Sequence, residues 1–388
     1  MLYFDHCASS PPYEEVIDTL AEVMKAHYAN PSSIHHAGAD ADKLISRSRS
    51  LLGELLGVKA EEWLFTSGGT ESNNLAIKGA AKQYQSRGKH LITTQMEHAS
   101  VYDTFKQLEQ EGYEVTYLPV DEKGQVVLEA LRLALRNDTI LVSIMHVNNE
   151  VGSVQPLADI GKLLQGYPRT LLHVDAVQSI GKLPIDVHGW GIDLLSGSAH
   201  KLRGPKGIGY LYVREGVTLT PLLTGGSQEH GMRAGTQNVP GIVASAKALR
   251  LAMQSAPERR ARMYRLRQQL TDFVEAAPEL VLNGGAPESM APHIVHFSYP
   301  GMKPEVIVHM LEQHGVIAST KSACSSRDDK PSRVLLAMGL GQERAASGVR
   351  ISLGDEHTEQ HILQLCEMLR LTISKLKPLE RSARKSDV

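Results

Sequence analysis

Between about residues 13 and 254, short apolar runs alternate with longer segments of helical periodicity. This alternation is typical of βα units, in which a helix follows each strand and the strands form a mainly parallel sheet. It predicts an α/β fold. The runs that we assign to strands are 63–66, 90–94, 114–118, 140–146, 171–175, 193–196 and 208–213. The segments that we assign to helices are 71–85, 100–111, 128–136 and 157–165.

The pattern of the sequence changes after Pro257, where a highly charged helical segment with an apolar stripe begins. Strand-like runs such as 293–297 follow it without the earlier alternation. We therefore predict a large domain over residues 13–255 and a smaller α+β domain formed by residues 1–12 and 256–388. The polar, aperiodic stretch at about residues 320–333 is expected to be a mobile loop.

Charge and cysteine content exclude several classes of protein. Lysine and arginine total 41 against 43 aspartate and glutamate, so the net charge of −2 gives no footprint of nucleic-acid or membrane binding. Three cysteines cannot form a disulfide framework, which favours a reducing compartment, and we expect the cytoplasm. No window approaches the ~18 apolar residues of a membrane span. No histidine or cysteine spacing predicts a metal site.

Three short motifs follow predicted strands: Ser-Gly-Gly-Thr at 67–70, His-Val-Asp-Ala-Val-Gln at 173–178 and Ser-Ala-His-Lys at 198–201. A glycine turn that leads into a helix lets backbone N–H groups approach an anion such as phosphate. Asp175 closes an apolar strand, where a buried carboxylate needs a cationic or hydrogen-bonding partner. Lys201 follows a run that leaves the sheet interior, and a desolvated lysine has a lowered pKa that favours Schiff-base chemistry.

Each motif alone has a plainer interpretation. The first can be a glycine turn capped by Thr70, and Lys201 can be an ordinary surface lysine. Because chance rarely supplies all three motifs in this order, their combination favours a cofactor site.

The motifs resemble the cofactor site of pyridoxal-phosphate enzymes of aminotransferase fold type I, and more closely that of the NifS/IscS-type cysteine desulfurases of aminotransferase class V. The resemblance covers nearly the whole chain and implies a seven-stranded, mainly parallel sheet. The cofactor that the resemblance implies is pyridoxal 5′-phosphate. The motifs that carry it include Phe-Thr-Ser-Gly-Gly-Thr-Glu-Ser-Asn-Asn at 65–74, His-Val-Asn-Asn-Glu at 146–150, Gly-Met-Arg-Ala-Gly-Thr at 231–236, Ser-Ala-Cys-Ser-Ser at 322–326 and Arg-Ile-Ser-Leu-Gly at 350–354.

The resemblance implies roles for individual residues. Lys201 is the expected Schiff-base lysine, Asp175 the partner of the pyridinium nitrogen, and His98 the residue that stacks on the ring and assists proton transfer. Gln178 and Asn149 are expected at the hydroxyl side of the ring. A second subunit is expected to contribute to the phosphate site, which implies an obligate homodimer. The expected phosphate ligands are Gly69, Thr70, Ser198, His200 and, from that second subunit, Thr236.

The three cysteines have different settings. Cys324 lies among small polar residues that leave a thiol exposed, Cys366 lies among apolar residues of a helix and is assigned to the core, and Cys7 is given no role. Arg350, together with Asn149, is expected to bind the substrate carboxylate, because a guanidinium matches carboxylate geometry with two hydrogen bonds. A structural ion pair is the alternative interpretation of Arg350.

The resemblance therefore implies removal of sulfur from L-cysteine to give L-alanine and a persulfide on Cys324. The sulfur would pass to a protein acceptor for iron–sulfur cluster assembly or tRNA thiolation. Selenocysteine lyase, cysteine-sulfinate desulfinase and a non-catalytic scaffold for sulfur transfer remain alternatives. Three positions, Lys321, His230 and Ala199, depart from the usual motifs, and we hypothesise that Lys321 tunes the Cys324 thiol or its loop.

Overall fold

The computed structural model describes residues 1–320 and 330–386, with side chains through residue 378. Its strands are β1 (Leu2–Tyr3), β2 (Trp63–Thr66), β3 (His90–Thr94), β4 (Glu114–Leu118), β5 (Thr139–Met145), β6 (Leu171–Asp175), β7 (Leu194–Ser198), β8 (Gly209–Val213), β9 (Val281–Asn283), β10 (Ile294–Ser298), β11 (Val316–Ile317) and β12 (Gly348–Ser352). Its helices are α1 (Glu14–Ala26), α2 (His36–Leu56), α3 (Gly69–Gln83), α4 (Ala99–Gln110), α5 (Leu128–Ala134), α6 (Leu157–Leu164), α7 (Val239–Gln254), α8 (Ala256–Ala276), α9 (Pro304–Gln313), α10 (Arg333–Ala337), α11 (Gln342–Ala345) and α12 (Glu359–Ser386). None of these described helices is both long and apolar enough to span a membrane.

Seven strands form one sheet in the order β2-β8-β7-β6-β5-β3-β4. Strand β8 pairs antiparallel with β2 and β7, whereas the other neighbouring strands pair in parallel. The predicted α/β fold with a mainly parallel seven-stranded sheet is therefore confirmed. Four predicted strands have the observed bounds, and β5, β7 and β8 differ from the prediction by one or two residues at an end.

Both faces of this sheet are buried, which explains the nearly continuous apolar runs of its central strands. Adjacent residues of a strand point to opposite faces, so Trp63 and Phe65 pack in one hydrophobic core and Leu64 in another. Residues of α2 and α7 cover the first face, and residues of α3 and α4 cover the second. The helices thus fix the sheet from both sides and leave its strand ends open.

A separate hydrophobic core is built on the antiparallel sheet β12-β10-β9. Apolar residues of α8, α9 and α12 pack against that sheet. The start of the chain joins this core, because β1 pairs with β11 and Phe4 is fully buried there. The domain boundary near residue 256 stays a prediction. Most of the predicted loop at 320–333, namely residues 321–329, lies outside the described residues.

Helix α3 begins at Gly69, two residues earlier than predicted. The sequence hides this start because the N-cap residue is Gly68, which has no side chain to cap the helix. The start of β8 passes so close to the backbone of Gly68 that it also requires a glycine. A Cβ on Gly209 would lie 2.6 Å from the Cα of Gly68. Gly69 and Thr70 therefore lie in the first turn of α3, where unpaired N–H groups attract anions.

Candidate active site

A cavity of about 170 Å³ lies at the carboxyl ends of the central strands. This edge is where parallel sheets bind ligands, because the loops that leave the strands converge there. Segments that follow β2, β3, β5, β6 and β7 all contribute to its wall. The predicted site residues that line the cavity are Gly69, Thr70, His98, Asn149, Asp175, Gln178, Ser198, His200, Lys201 and Arg350.

Cys324 lies outside the described residues, as does Lys321. Among the predicted site residues that the structure describes, Thr236 is not one of those that line the cavity. Thr236 is exposed on the segment that precedes α7. Its expected approach to the site of a second subunit stays a prediction.

The segment that carries Thr236 is anchored at two points to the large sheet and its helices. Arg49 donates to both carboxylate oxygens of the buried Glu229, each at 2.9 Å, and the backbone N–H of Phe65 donates to the same carboxylate at 2.9 Å. Arg233 forms a 2.8 Å ion pair with Glu71 in the first turn of α3. These contacts anchor Glu229 and Arg233, and Thr236 follows them in an exposed position.

Asp175 presents a buried carboxylate to the cavity. One carboxylate oxygen accepts a 3.0 Å hydrogen bond from the backbone N–H of Val177, and the other accepts a 2.8 Å hydrogen bond from Nδ2 of Asn73. No described lysine, arginine or histidine forms a salt bridge with Asp175. A buried carboxylate held in this way favours a cationic ligand, because an uncompensated buried charge is costly.

A hydrogen-bond network connects Asp175 to His98. The second hydrogen of Asn73 Nδ2 is donated to Ser100 Oγ at 2.9 Å, and Ser100 Oγ lies 2.9 Å from His98 Nδ1. The backbone N–H of Ser100 also donates to Nδ1. Since Nδ1 accepts, the neutral imidazole carries its proton on Nε2. Burial lowers the pKa of His98, so the ring is neutral near pH 7.

Lys201 lies in the short turn that follows β7, and its ammonium group points to the start of the chain. Nζ donates to the carbonyl oxygen of Cys7 and, at 2.7 Å, to that of Ala8. Burial lowers the pKa of Lys201 to about 8, and the nearby positive charges of Arg350 and Lys182 act in the same direction. A substantial fraction of this amine is therefore neutral and nucleophilic near physiological pH.

A second group of residues that line the cavity carries hydrogen-bond donors. It combines the start of α3 with the hydroxyls of Thr70 and Ser198 and the ring of His200. Burial and neighbouring lysines lower the pKa of His200 to about 4, so this ring is neutral near pH 7. Such a set, with a helix N-terminus at its centre, is suited to a phosphate group.

Arg350 combines both interpretations offered by the sequence. It is 1% exposed and forms a 2.9 Å ion pair with Asp5, while Nη1 donates to the carbonyl oxygen of Asn149 at 2.7 Å. The structural ion pair is therefore present. Arg350 also lines the cavity, and its Nε has no hydrogen-bond partner among the described residues. The geometry leaves a donor for a carboxylate.

Sequence reasoning missed several contributors to the site. Asn73 and Ser100 lie inside helices, where nothing in the local pattern distinguishes them from ordinary polar positions. Cys7 was given no role, yet its carbonyl oxygen accepts from Lys201 and, at 3.1 Å, from Gln178 Nε2. A backbone acceptor is invisible in sequence, since every residue has one.

The residues of the cavity fit pyridoxal 5′-phosphate. Asp175 suits a protonated ring nitrogen, Lys201 offers an amine of lowered pKa, and the turn at 67–70 suits a phosphate. The buried Oε1 of Gln178 has no hydrogen-bond partner among the described residues. This donor and acceptor set suits a ligand that is anionic at one end and cationic in its ring.

Comparisons with known proteins agree with this geometry. The model of the family Aminotransferase class-V matches residues 2–365. The chain is 41% identical over 378 residues to a protein named cysteine desulfurase IscS from Dictyoglomus turgidum, covering 97% of this chain and 96% of that protein. It is 43% identical over 359 residues to a NifS/IcsS protein homolog from Lactobacillus delbrueckii subsp. bulgaricus, covering 92% and 93%.

Solved structures give the same result. A structure described as a NifS-like protein has a TM-score of 0.91 and 36% identity, and the match covers 97% of this chain and all of that one. A structure described as SspA in complex with cysteine has a TM-score of 0.78 and 35% identity, covering 92% of this chain and all of that one. The chain therefore belongs to the aminotransferase class-V family and, within it, to the NifS/IscS cysteine desulfurases.

Proposed function

We propose that this chain is a pyridoxal-phosphate-dependent cysteine desulfurase that converts L-cysteine to L-alanine and leaves the sulfur as a persulfide on Cys324. The observation that carries the proposal is the meeting, in one cavity, of three groups: the Lys201 amine, the Asp175 carboxylate and the neutral His98 ring. The likeness to proteins named cysteine desulfurase supports the choice of substrate.

Bound pyridoxal 5′-phosphate supplies an electron-accepting ring that makes the Cα proton of an attached amino acid acidic. Asp175 would keep a proton on the ring nitrogen, and Asn73 and Val177 hold the carboxylate in place for this role. Gln178 and Asn149 would hold the hydroxyl side of the ring. The phosphate would be held by Gly69, Thr70, Ser198 and His200.

Lys201 and His98 move protons in this proposal. The Lys201 amine, whose pKa is lowered to about 8, would hold the cofactor and could take up the Cα proton of the substrate. His98 presents a neutral ring whose Nδ1 is held by Ser100, so Nε2 is the nitrogen available for exchange. Arg350 and Asn149 orient the substrate carboxylate, which keeps the Cα–H bond in reach of these groups.

The sulfur step balances without an oxidant. The Cys324 thiolate attacks the sulfur of the substrate, the bond between that sulfur and Cβ breaks, and a sulfur–sulfur bond forms. The electron pair of the broken bond stays with the carbon skeleton, which takes up protons and leaves as alanine. One L-cysteine and one protein thiol thus become one L-alanine and one protein persulfide.

We further propose a homodimer in which Thr236 of each chain completes the phosphate site of the other. The anchored segment described above supports this arrangement, since Thr236 is exposed on it and does not line the cavity of its own chain. The persulfide then passes to a protein acceptor, either an iron–sulfur scaffold or a tRNA-thiolating enzyme, in the cytoplasm. Neither direct nucleic-acid binding nor membrane association is part of the proposal.

The test combines alanine release with mass spectrometry of the cysteines. L-Cysteine should give alanine and a sulfur adduct on Cys324, and Cys324→Ala should abolish both. Cys366→Ala is the matched control, because burial raises the pKa of the Cys366 thiol to about 11 and keeps it unreactive. Alanine release that persists in Cys324→Ala would favour a selenocysteine lyase or cysteine-sulfinate desulfinase. Adding candidate acceptors to the loaded protein would then identify the one that removes the adduct.

A further inference from the structure

Arg333 reaches from α10 to the segment that carries His98. Its Nη1 donates to the carbonyl oxygen of Gln95, and its Nη2 donates to that of Glu97 at 2.6 Å. Its guanidinium carbon lies 3.7 Å from the ring centroid of Tyr102, one turn beyond His98 on α4. Contacts of this one side chain therefore lie on both sides of His98 in the sequence.

Ser332, the residue before Arg333, contacts a second segment that lines the cavity. Ser332 Oγ donates to the buried carboxylate of Glu150 at 2.6 Å, and Glu150 directly follows Asn149. Residues 332–333 are thus attached to two segments that line the cavity. Cys324 lies nine positions before Arg333 in the sequence, so this attachment point is close along the chain to the proposed nucleophile.

We propose that Arg333 is a positioning residue, which fixes the 95–98 segment to α10 and thereby holds the His98 ring over the cavity. The inference rests on the proposed function and adds a residue that does not line the cavity. Two carbonyl oxygens and an aromatic ring match a planar guanidinium with five N–H groups, whereas a lysine ammonium is a compact point charge.

The charges around His98 give the inference a second readout. Asp175 and Asp103 favour the protonated ring, while Lys201 and Arg333 disfavour it, and burial is the largest cause of the lowered pKa of His98. Glu97 is mostly neutral near pH 7, because burial raises the pKa of its carboxyl to about 8. Removing the Arg333 charge therefore raises the pKa of His98.

Three variants separate geometry from charge. Arg333→Met removes the hydrogen bonds, the stacking and the charge, whereas Arg333→Lys keeps the charge and loses the planar fork. Arg344→Met is the matched control, because Arg344 also donates to a backbone carbonyl, that of Leu282 at 2.9 Å, but this acceptor lies on β9, which contributes no residue to the cavity. It reports the cost of losing such a contact elsewhere.

Two measurements are made on each variant. The first is kcat for alanine release from L-cysteine by the holoenzyme. The second is the pH dependence of His98 modification by diethyl pyrocarbonate in the cofactor-free protein, followed by peptide mass spectrometry, since only the neutral ring reacts. We expect kcat to fall about ten- to a hundredfold in both Arg333 variants, as small displacements of a reacting group cost this much. We expect the pKa of His98 to rise in Arg333→Met and to move less in Arg333→Lys.

An Arg333→Met protein that matches Arg344→Met in both kcat and the His98 profile would overturn the inference. Failure of the proposed function looks different. If wild-type protein released no alanine from L-cysteine, the function would fall, while the His98 profile of the cofactor-free protein would still decide the role of Arg333.

Discussion

Two groups of residues that line the cavity use their polar atoms differently. Both carboxylate oxygens of Asp175 accept hydrogen bonds from the protein, so a negative charge is held in a fixed position. The hydroxyls of Thr70 and Ser198 have no hydrogen-bond partner among the described residues and can act as donors. We call the first group the Asp175 end, since it suits the cationic ring of a ligand, and the second the donor end, since it suits a phosphate. We infer that the Asp175 end governs turnover and the donor end governs cofactor affinity.

The largest expected effect tests the Asp175 end. Asp175→Asn should lower kcat by roughly 10²- to 10³-fold, because a neutral amide cannot keep the ring nitrogen protonated, and losing one member of a buried charge pair costs about 2–5 kcal/mol. Excess cofactor should not restore the activity. Steady-state alanine assays at saturating pyridoxal 5′-phosphate measure both.

Asp193→Asn is the control for this substitution. Asp193 is also a buried carboxylate beside the sheet, where it accepts from the backbone N–H of Leu172 at 2.7 Å and from Arg214 at 2.6 Å, but it does not line the cavity. Equal loss of kcat in the two variants would mean that Asp175 acts through the stability of the sheet.

Lys201 also lines the cavity, and its pKa predicts the pH dependence of cofactor binding. Burial favours the neutral amine and lowers the pKa of Lys201 to about 8. The neutral fraction thus rises about tenfold per pH unit below that value and levels off above it. Stopped-flow visible absorption of cofactor-free protein mixed with pyridoxal 5′-phosphate should show a rate that climbs from pH 6 to 8 and then flattens. A rate that keeps climbing to pH 10 would mean that the amine is not desolvated.

The smallest effect tests the donor end. Ser198→Ala should weaken cofactor binding about tenfold, the value of one hydrogen bond to a charged group, and excess cofactor should restore kcat. Ser196→Ala is the control on the same strand, because the Ser196 hydroxyl lies 2.9 Å from Nε2 of buried His173 and not in the cavity. If Ser198→Ala lowered kcat at saturating cofactor, the division between the two ends would be wrong.

The sequence predicts best what depends on neighbouring residues. Asp175 and Ser198 are the last residues of the buried strands β6 and β7, and Lys201 lies in the turn after β7, so strand ends and candidate residues were found together. Contacts between distant segments were not predictable. Lys201 binds a carbonyl oxygen 194 residues away in the chain, and Arg333 binds one 238 residues away. Both acceptors are backbone atoms, which carry no sequence signal.

The start of α3 shows a second limit. A side-chain cap normally marks the first residue of a helix, whereas Gly68 caps α3 without one. The glycine that lets an anion approach the turn therefore also leaves the start of α3 without a capping side chain to predict it. Positions such as Asn73 are recognised only when the fold brings them to Asp175 and Ser100.

The central claim is that the Lys201 amine holds the cofactor, and borohydride reduction of the holoprotein followed by peptide mass spectrometry tests it most directly. We predict one reduced pyridoxyl adduct, on Lys201. Lys182 is the informative alternative, because it is also buried and its Nζ has no hydrogen-bond partner among the described residues. An adduct on Lys182, or no adduct on any lysine, would contradict the account.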